Sequence, residues 1–479
     1  MSGGSCLRRL ESFIKRVELE APEAELEEPK LEEVEPGEVW WQKWGDAWPL
    51  LALHILRGGK ASVPAIVVRP ADGDEAAAVL RSAYEEGVCI VARGGGSGVL
   101  GGVAARGCCA VLDLSRLSEV LVDAEDLLVE AGAGVVLERL EEEARSRGLT
   151  LGYYPQSMRV ATVGGAIASL GSGALQPGYG NVEDIIEYID VATVRGEVVR
   201  LGDGPRGRLG PGLKDLFVGS EGTLGVVVKA GLRARIAPGG MGRAVVRFDS
   251  FAEGLKAARR LVQWNQPQVL RLLDADEASL LYGRDGPHLI IAYMDLDEGR
   301  AEDLASRAAM EAAREGGRLV DDGLFDEWWR ERFSYGRRVR EIWGAGLWFD
   351  TIDLMGRWST LARAAEKVKS SLRRHSLAVF SHASHFYPTG GALYTTILVE
   401  PRVERLVAAW KSAMDAAESL GVLPTHHHGI GVQKLRAAAS GCPGWYTLYC
   451  IIASALDPEG VLNPYGLRAG CRKCVSGMR

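Results

Sequence analysis

"TVGGAIASLGSGALQPGYGNVED", residues 162–184, lies between two other glycine-rich stretches of the chain. The stretch "RGGGSGVLGG" at 93–102 precedes it, and "VGSEGTLGVVVKAGLRARIAP" at 218–238 follows it. Because glycine places no side chain between backbone and ligand, successive backbone N–H groups of such loops can approach a pyrophosphate closely. A single glycine run is more often a tight turn, but the succession of these stretches favours a nucleotide-binding fold.

The segments around the first loop alternate between strand and helix patterns. "AIVVRP" at 65–70 predicts a buried strand, and residues 72–87 predict a helix that buries Ala76, Val79, Leu80 and Ala83 on one face. Asp72 or Asp74 is expected to cap the start of this helix, and Gly87 its end. The first loop lacks a GxGxxG pattern at the start of a helix, so a nicotinamide-binding Rossmann unit is not predicted. The pattern predicts an α+β domain with helices packed against a sheet.

A second unit follows, in which strand-like and helical segments again alternate. "AVVRFDS" at 244–250 and "HLIIAYMDL" at 288–296 predict strands, and residues 251–264 and 300–317 predict helices. The last stretch, residues 444–464, predicts a helix, a turn and an ending that returns to the first domain. This second unit is therefore expected to be an α/β domain.

Composition and charge exclude several classes of protein. The chain has 479 residues and a hydrophobic content of 47%, enough for two domains with separate cores. Its net charge is −7, without the basic stripe that tracks a phosphate backbone, so nucleic acid is not an expected partner. No apolar run reaches the roughly 18 to 20 residues that span a bilayer, and no signal-peptide core is present. We expect a cytoplasmic protein, with peripheral membrane contact left open.

The glycine loops and the segments beside them identify a resemblance. The order GGGSG, TVGGAIASLGSG, YGN-ED and GSEGTLGVV resembles the FAD-binding domain of the vanillyl-alcohol-oxidase type flavoproteins. This family includes D-lactate and glycolate dehydrogenases and alkyldihydroxyacetonephosphate synthase. The resemblance implies a two-subdomain FAD-binding domain, an α/β substrate (cap) domain and a C-terminal segment that returns to the FAD domain. The implied division is 1–60 (N-terminal helical or linker segment), 61–238 (FAD-binding), 239–424 (cap) and 425–479 (C-terminal segment).

The resemblance also implies how FAD is held. The first loop would cradle the pyrophosphate, a middle group of residues would line the flavin, and Glu221 to Val227 would lie at the adenine side. Many relatives tether the flavin to a histidine in the first loop, where this chain has Ser97, so FAD is expected to be non-covalent. In order, these predicted cofactor residues are Gly94, Gly95, Gly96, Ser97, Gly98, Pro155, Ser157, Thr162, Gly165, Ser172, Glu221 and Val227.

Three adjacent histidines, His426, His427 and His428, precede two glycines in "HHHGIG". Adjacent side chains in a loop cannot all point into one site, so these three alone do not predict a metal centre. Dehydrogenases of the family hold a divalent metal with an upstream histidine and a glutamate, where this chain has Tyr394 and His427. His382 and His385 remain possible contributors, but no metal is predicted.

The same segments resemble alkyldihydroxyacetonephosphate synthase in "ALY", "HHHGIG" and "RLLD". The resemblance implies that Tyr394 is the acid/base and that the three histidines line the reacting centre. Arg271 would lie near the flavin or an anionic substrate, and Arg340 would supply a second cation, with Arg338 equally eligible. Histidines or arginines near Tyr394 are expected to lower its pKa. The reaction implied is replacement of the acyl group of acyl-dihydroxyacetone phosphate by a long-chain alcohol through a flavin adduct.

The alternative is an FAD-dependent D-2-hydroxyacid dehydrogenase that uses an acceptor other than NAD. In both cases the partner is a small or lipid-like anionic substrate, and a homodimer is expected from the resemblance. The eight cysteines are interpreted mostly as free, apolar thiols. For "CRKC" at 471–474, a thiol pair or disulfide is favoured over a metal site.

Overall fold

The computed structural model describes residues 3–29, 43–57, 63–202, 204–205 and 210–471. Its N-terminal part contains α1 (Gly3–Glu20), β1 (Glu25–Glu27) and α2 (Pro49–Leu56). The first sheet follows, with β2 (Ile66–Arg69), α3 (Gly73–Glu86), β3 (Cys89–Arg93) and β4 (Cys109–Asp113). The strand order is β1-β2-β4-β3, in which β1 is antiparallel to β2 and the other pairs are parallel.

The helix α3 forms as the sequence predicts. Asp72 accepts a hydrogen bond from the backbone of Glu75 at its start, and Gly87 ends it in the left-handed conformation with φ of 65°. Its buried face packs against α1. The glutamate-rich segment 18–38 would be expected from its composition to be a linker or a solvated helix edge, but Glu27 accepts hydrogen bonds from Arg69 and Trp44 and thereby joins β1 to the sheet. Residues 30–38 lie outside the described residues.

The second sheet carries the other two glycine loops. Its strands are antiparallel and occur in the order β5-β6-β10-β8-β9. The elements of this region are β5 (Val120–Asp123), β6 (Leu128–Gly132), α4 (Leu137–Ser146), β7 (Leu149–Thr150), α5 (Val163–Ala168), α6 (Gln176–Tyr179), α7 (Val182–Ile185), β8 (Ile186–Ala192), β9 (Val198–Leu201), β10 (Val226–Arg233) and β11 (Arg235–Ile236). Thr162 caps α5 by accepting from the backbone of Gly165.

The cap is built on a seven-stranded antiparallel sheet of order β15-β12-β14-β13-β17-β18-β16. Its strands are β12 (Gly240–Arg247), β13 (Val269–Leu273), β14 (His288–Asp295), β15 (Arg318–Val320), β16 (Trp348–Arg357), β17 (Ala378–Tyr387) and β18 (Gly390–Val399). Its helices are α8 (Phe251–Trp264), α9 (Ala275–Tyr282), α10 (Glu298–Ala313), α11 (Gly323–Glu331), α12 (Tyr335–Gly344), α13 (Trp358–Arg373) and α14 (Val403–Glu418).

The two faces of the cap sheet belong to different cores. Leu270 and Leu272 of β13 pack with the residues that α8, α13 and α14 bury. Val269 and Leu273 of the same strand pack with the buried residues of the second sheet. Since side chains alternate along a strand, Arg271 lies on the face directed at the FAD-binding domain. This alternation places the functional side chains of the cap on one surface.

The chain ends with α15 (Leu435–Gly441) and α16 (Pro443–Leu456), followed by a return to the first sheet. Leu462 forms a parallel bridge with Ile90, and Asn463 donates a backbone hydrogen bond to the same strand. The expected return of the C-terminal segment is therefore present. None of the helices in the described parts of the chain is long and apolar enough to cross a membrane.

Six cysteines are paired, which corrects the interpretation of most of them as free thiols. The disulfides are Cys6–Cys108, Cys89–Cys109 and Cys450–Cys471. Strand pairing explains one of them, because β3 and β4 place Cys89 directly beside Cys109. Cys471 of "CRKC" thus pairs outside its motif, and Cys474 lies beyond the described residues.

Candidate active site

A single cavity runs between the two sheets of the FAD-binding domain and the cap. All twelve residues predicted to hold the cofactor line it, from Gly94 of the first loop to Val227 of β10. Arg271, Tyr394, His427 and His428 line the same cavity. The predicted cofactor residues and most of the predicted catalytic residues are therefore brought together.

The first two glycine loops pack against each other too closely for side chains. A Cβ atom on Gly95 would lie 1.7 Å from the carbonyl oxygen of Val160, and one on Gly94 would lie 2.2 Å from Oγ1 of Thr162. Only glycine permits this approach, which leaves the backbone of the first loop as the lining of the cavity. The lining fits a dinucleotide, because a cofactor pyrophosphate is held by such backbone groups.

Asp46 is a cavity residue that the sequence did not single out. Its Oδ2 atom accepts a hydrogen bond from Val103, whereas Oδ1 is buried and has no hydrogen-bond partner among the described residues. Burial raises the pKa of Asp46 to about 7. Asp46 lies between Trp44 and Trp48, which are both buried.

Glu221 joins the third glycine loop to the histidine loop. Its carboxylate accepts hydrogen bonds from the backbone N–H groups of Ile430 at 2.5 Å and Gly431 at 3.0 Å. Glu221 itself has a φ of 52°, a conformation that non-glycine residues rarely adopt. A strained backbone conformation persists only where surrounding contacts stabilise it. Here the stabilising contacts are the hydrogen bonds between Glu221 and the loop that carries the histidines. Its place at the adenine side of FAD stays a prediction.

The hydroxyl group of Tyr394 lies at the centre of three imidazoles. Its oxygen is 2.8 Å from Nδ1 of His427, 3.1 Å from Nδ1 of His426 and 3.1 Å from Nδ1 of His385. The ring of His382 stacks on Tyr394 with 4.8 Å between centroids. Tyr394 is 3% exposed, so its proton can exchange only with these neighbours or with a bound ligand.

An irregularity in β17 brings His385 to this centre. The pairing of β17 with β18 shifts register between Ser384 and Tyr387, and His385 has a φ of 51°. Bulges of this kind re-aim a side chain and occur often beside active sites. Regular pairing on either side of the bulge sets His382 opposite Tyr394.

The central groups are neutral near pH 7. Burial, aided by the charge of Asp353, raises the pKa of Tyr394 well above its usual value. Burial lowers the pKa of His385 and His427 far below the usual imidazole value, and that of His426 to about 4. The expectation that neighbours lower the pKa of Tyr394 is therefore wrong, because burial outweighs the effect of Arg271. The site presents one phenol O–H donor beside imidazoles that can accept a proton.

Asp353 organises the histidine loop from β16. Its carboxylate accepts the backbone N–H of His426 at 2.7 Å, lies 2.9 Å from Nδ1 of His428 and pairs with the ammonium group of Lys434. Both Asp353 and Lys434 are fully buried. Burial alone would raise the pKa of Asp353. The charge of Lys434, and after it that of His428, outweighs burial and holds this pKa well below the usual range.

Arg271 approaches the site beside Glu277. Its Nη2 atom donates to Glu277 at 2.8 Å, and the other carboxylate oxygen of Glu277 lies 2.8 Å from Nδ1 of His382. The Nε atom of Arg271 is buried without a hydrogen-bond partner among the described residues. This guanidinium group therefore retains a donor for an anionic ligand.

The second predicted arginine requires correction. Arg340 is exposed, whereas Arg338 lines the cavity. Both lie on α12, and residues two positions apart on a helix face different directions. Apolar side chains also line the cavity, namely Leu281, Trp328, Ile342, Phe349, Phe380 and Leu398.

Nitrogen atoms of His385, His426 and His427 lie within 4.8 Å of one another. A zinc ion would need nitrogen atoms about 2.0 to 2.1 Å away that are free to coordinate it. Each of the three Nδ1 atoms already has a hydrogen-bond contact with that hydroxyl. We therefore interpret the group as a hydrogen-bonded proton site, and the expectation of no metal stays a prediction.

Sequence reasoning missed Asp353, Lys434 and Tyr387. A weak signal existed for Asp353, since a carboxylate within the apolar strand "FDTIDLM" must find a buried partner. Lys434 and Tyr387 gave no such signal, because their neighbours come from distant parts of the chain.

The fold and site define an FAD-dependent flavoprotein, and comparison with known proteins agrees. Residues 64–202 match the FAD binding domain family, and residues 241–467 match the family of FAD linked oxidases, C-terminal domain. These segments together span most of the chain, which belongs to the FAD-linked oxidase family. FAD is its cofactor.

Individual relatives carry different names. The chain is 23% identical over 455 residues to alkyldihydroxyacetonephosphate synthase of Dictyostelium discoideum, covering 86% of this chain and 74% of that protein. It is 26% identical over 410 residues to D-lactate dehydrogenase of Archaeoglobus fulgidus, covering 83% and 90%. A solved structure of alkyldihydroxyacetonephosphate synthase has a TM-score of 0.76 at 19% identity, over 94% of this chain and 84% of that one. This last similarity shows the shared fold.

Proposed function

We propose that the protein replaces the acyl group of an acyl-dihydroxyacetone phosphate by a long-chain alcohol. The observation that supports this most is the position of the Tyr394 hydroxyl, surrounded by three neutral imidazoles. A proton donor and several acceptors at one point suit a reaction in which an acid leaves and an alcohol enters. The overall exchange has no net oxidation: the acyl group leaves as a carboxylate, the alcohol oxygen bonds to carbon, and one proton is released.

The chain's own residues divide the work. Bound FAD would supply the reactive centre at which the carbon of the substrate is activated. Arg271 and Arg338 would bind the phosphate, since guanidinium groups recognise phosphate through paired hydrogen bonds. The apolar residues of the cavity wall would hold a hydrocarbon chain and exclude water from the reacting atoms. The acyl group would leave as a carboxylate, and His427 would accept the proton of the incoming alcohol and pass it to the oxygen of Tyr394.

A second candidate is oxidation of a D-2-hydroxy acid. The match to D-lactate dehydrogenase covers 90% of that protein, which favours a similar overall organisation. In this reaction an imidazole would accept the hydroxyl proton, a hydride would pass to FAD, and Arg271 would bind the carboxylate.

Product analysis tests the proposal. The purified protein is incubated with palmitoyl-dihydroxyacetone phosphate and hexadecanol, and lipids are quantified by mass spectrometry. The proposed function requires equal amounts of hexadecyl-dihydroxyacetone phosphate and released palmitate. Absence of the ether product, with D-lactate converted to pyruvate instead, would establish the second candidate.

A further inference from the structure

A second cavity adjoins the histidine loop away from Tyr394. Asn181, Glu183, Tyr387 and His426 are among the residues that line it. Of these, His426 also contacts the hydroxyl group of Tyr394. Its two ring nitrogens therefore meet different neighbours, with Nδ1 directed at Tyr394 and Nε2 at the second cavity.

Hydrogen bonds connect the two cavities without a gap. The oxygen of Tyr394 is 3.1 Å from Nδ1 of His426, and Nε2 of His426 is 2.7 Å from the oxygen of Tyr387. Asn181 donates to the same Tyr387 oxygen at 2.8 Å, and with Nε2 of His426 as the second donor to this oxygen the hydroxyl proton of Tyr387 is left for an acceptor in the second cavity. An imidazole can accept a proton at one nitrogen while it releases another proton from the second nitrogen.

Glu183 is the carboxylate of this second cavity. Its Oε1 atom accepts from Asn181 at 3.1 Å, and Oε2 is buried without a hydrogen-bond partner among the described residues. Burial, with a smaller effect of Asp184, raises the pKa of Glu183 to about 7. The other titratable groups whose charges interact with it are Tyr153 and Tyr387, which both remain protonated at neutral pH.

We propose that His426, Tyr387 and Glu183 form a relay that moves protons between Tyr394 and the second cavity. This inference rests on the proposed function in one respect, namely that Tyr394 carries the proton of the reaction. The exchange releases one proton per turnover, and Tyr394 is 3% exposed, so the relay supplies a route by which this proton can leave the site.

The relay conserves every proton. Tyr394 passes its proton to Nδ1 of His426, while Nε2 of His426 passes a proton to the oxygen of Tyr387. Tyr387 then releases its own hydroxyl proton into the second cavity, which Glu183 also lines, and the carboxylate of Glu183 accepts it there before losing it to water. Reverse transfer protonates Tyr394 again. No electron transfer or further reactant is required.

The variant Tyr387→Phe removes the middle of the relay and leaves the ring in place. We expect turnover to fall roughly tenfold or more, within the range for lost proton-transfer groups, with KM and FAD content unchanged. Added imidazole should restore turnover in proportion to its concentration, because it can accept the proton from Nε2 of His426 in the second cavity. Tyr293→Phe is the matched control, since Tyr293 is buried and donates to a distant backbone carbonyl of Asn265.

The variant Glu183→Gln tests the outer end of the relay. In the unmodified protein, turnover should rise through a pKa near 7 as Glu183 ionises. Glu183→Gln should remove this rise and make turnover depend on buffer concentration. Full, buffer-independent turnover in both variants would overturn the relay. A loss of turnover that no buffer restores would assign both residues a structural role and also overturn it.

Failure of the proposed function would give a different result, because the unmodified protein would then form no ether product. In that case the variants are assayed for oxidation of D-lactate, which also releases a proton from the site. A measurement without substrate accompanies both assays: the ¹⁵N shift of Nε2 in His426 should change in Tyr387→Phe and not in Tyr293→Phe. An unchanged shift would show that the contact, and with it the relay, is absent.

Discussion

Asp353 lies directly opposite Tyr394 in the pairing of β16 with β18, yet it acts on Tyr394 through the histidine loop. Its carboxylate holds the backbone of His426 and the ring of His428, and the loop then places His426 and His427 around the phenol. The charged carboxylate of Asp353 on β16 thus positions the neutral rings of His426 and His427, which contact the hydroxyl group of Tyr394 on β18.

Replacement of Tyr394 by phenylalanine should abolish most of the activity without affecting the fold. We expect turnover to decrease by roughly 10² or more, because a general acid–base group is lost while the ring is retained. FAD content, from the absorbance of purified protein, should equal that of the unmodified protein and of Tyr293→Phe. Undiminished turnover would assign the proton to one of the histidines.

Asp353→Asn should destabilise the protein. Removal of one partner leaves the buried ammonium group of Lys434 uncompensated, which costs on the order of 3 to 5 kcal/mol of unfolding free energy. Denaturant unfolding measures this, and Lys434→Met in the same chain should recover much of the loss. Asp350→Asn is the matched control, because Asp350 is buried on the same strand and accepts from Trp410, while its charge acts on Lys434 less than that of Asp353 does. Equal losses in the two variants would contradict the interpretation.

Acid should destabilise the protein through the same pair. The pKa of Asp353 is lower in the folded state than in the unfolded chain, where an aspartate has a pKa of about 3.9. Its contribution to stability is therefore fully present above that pH and is lost as pH falls below it towards the folded-state pKa. Below about pH 4, the melting temperature of Asp353→Asn should therefore fall less steeply with decreasing pH than that of the unmodified protein. Thermal unfolding in a pH series measures this difference.

FAD should leave the protein intact on acid precipitation. Ser97 occupies the position at which many relatives carry a tethering histidine, so no covalent bond is expected. The supernatant should be yellow and should contain FAD by chromatography. Yellow colour that remains in the pellet would show a covalent link elsewhere in the cavity.

Removal of metal ions should leave activity unchanged. The Nδ1 atoms of His385, His426 and His427 already contact the Tyr394 hydroxyl, which favours a hydrogen-bonded group over a bound ion. Activity after dialysis against a chelator, together with elemental analysis, checks this expectation. One equivalent of a divalent ion whose removal abolishes activity and whose return restores it would contradict the hydrogen-bonded arrangement.

Local patterns predicted most of the fold, and the family resemblance supplied twelve of the cavity residues in and beside the glycine loops. Gly94 and Gly95 lie so close to Thr162 and Val160 that only glycine fits at these two positions. The sequence did not decide whether Arg338 or Arg340 lines the cavity, because the answer depends on how α12 is rotated about its axis. His385 reaches the centre through a bulge that no local pattern marks.

The pKa of Tyr394 shows a second limit. Cations near Tyr394 were expected from the family resemblance, but the degree of burial was not, and burial determines the direction of the pKa shift. Likewise, Lys434 and Asp353 are 81 positions apart in the sequence, and their ion pair forms only when the histidine loop packs against β16 of the cap sheet.

Anaerobic mixing, followed by flavin absorbance near 450 nm, tests the proposed chemistry most directly. Because acyl exchange has no net redox change, palmitoyl-dihydroxyacetone phosphate should perturb the flavin spectrum transiently, and hexadecanol should restore the oxidised spectrum. D-Lactate and glycolate should leave the spectrum unchanged. Rapid, complete and stoichiometric bleaching by D-lactate, with no response to the acyl compound, would contradict the proposed exchange and identify a dehydrogenase.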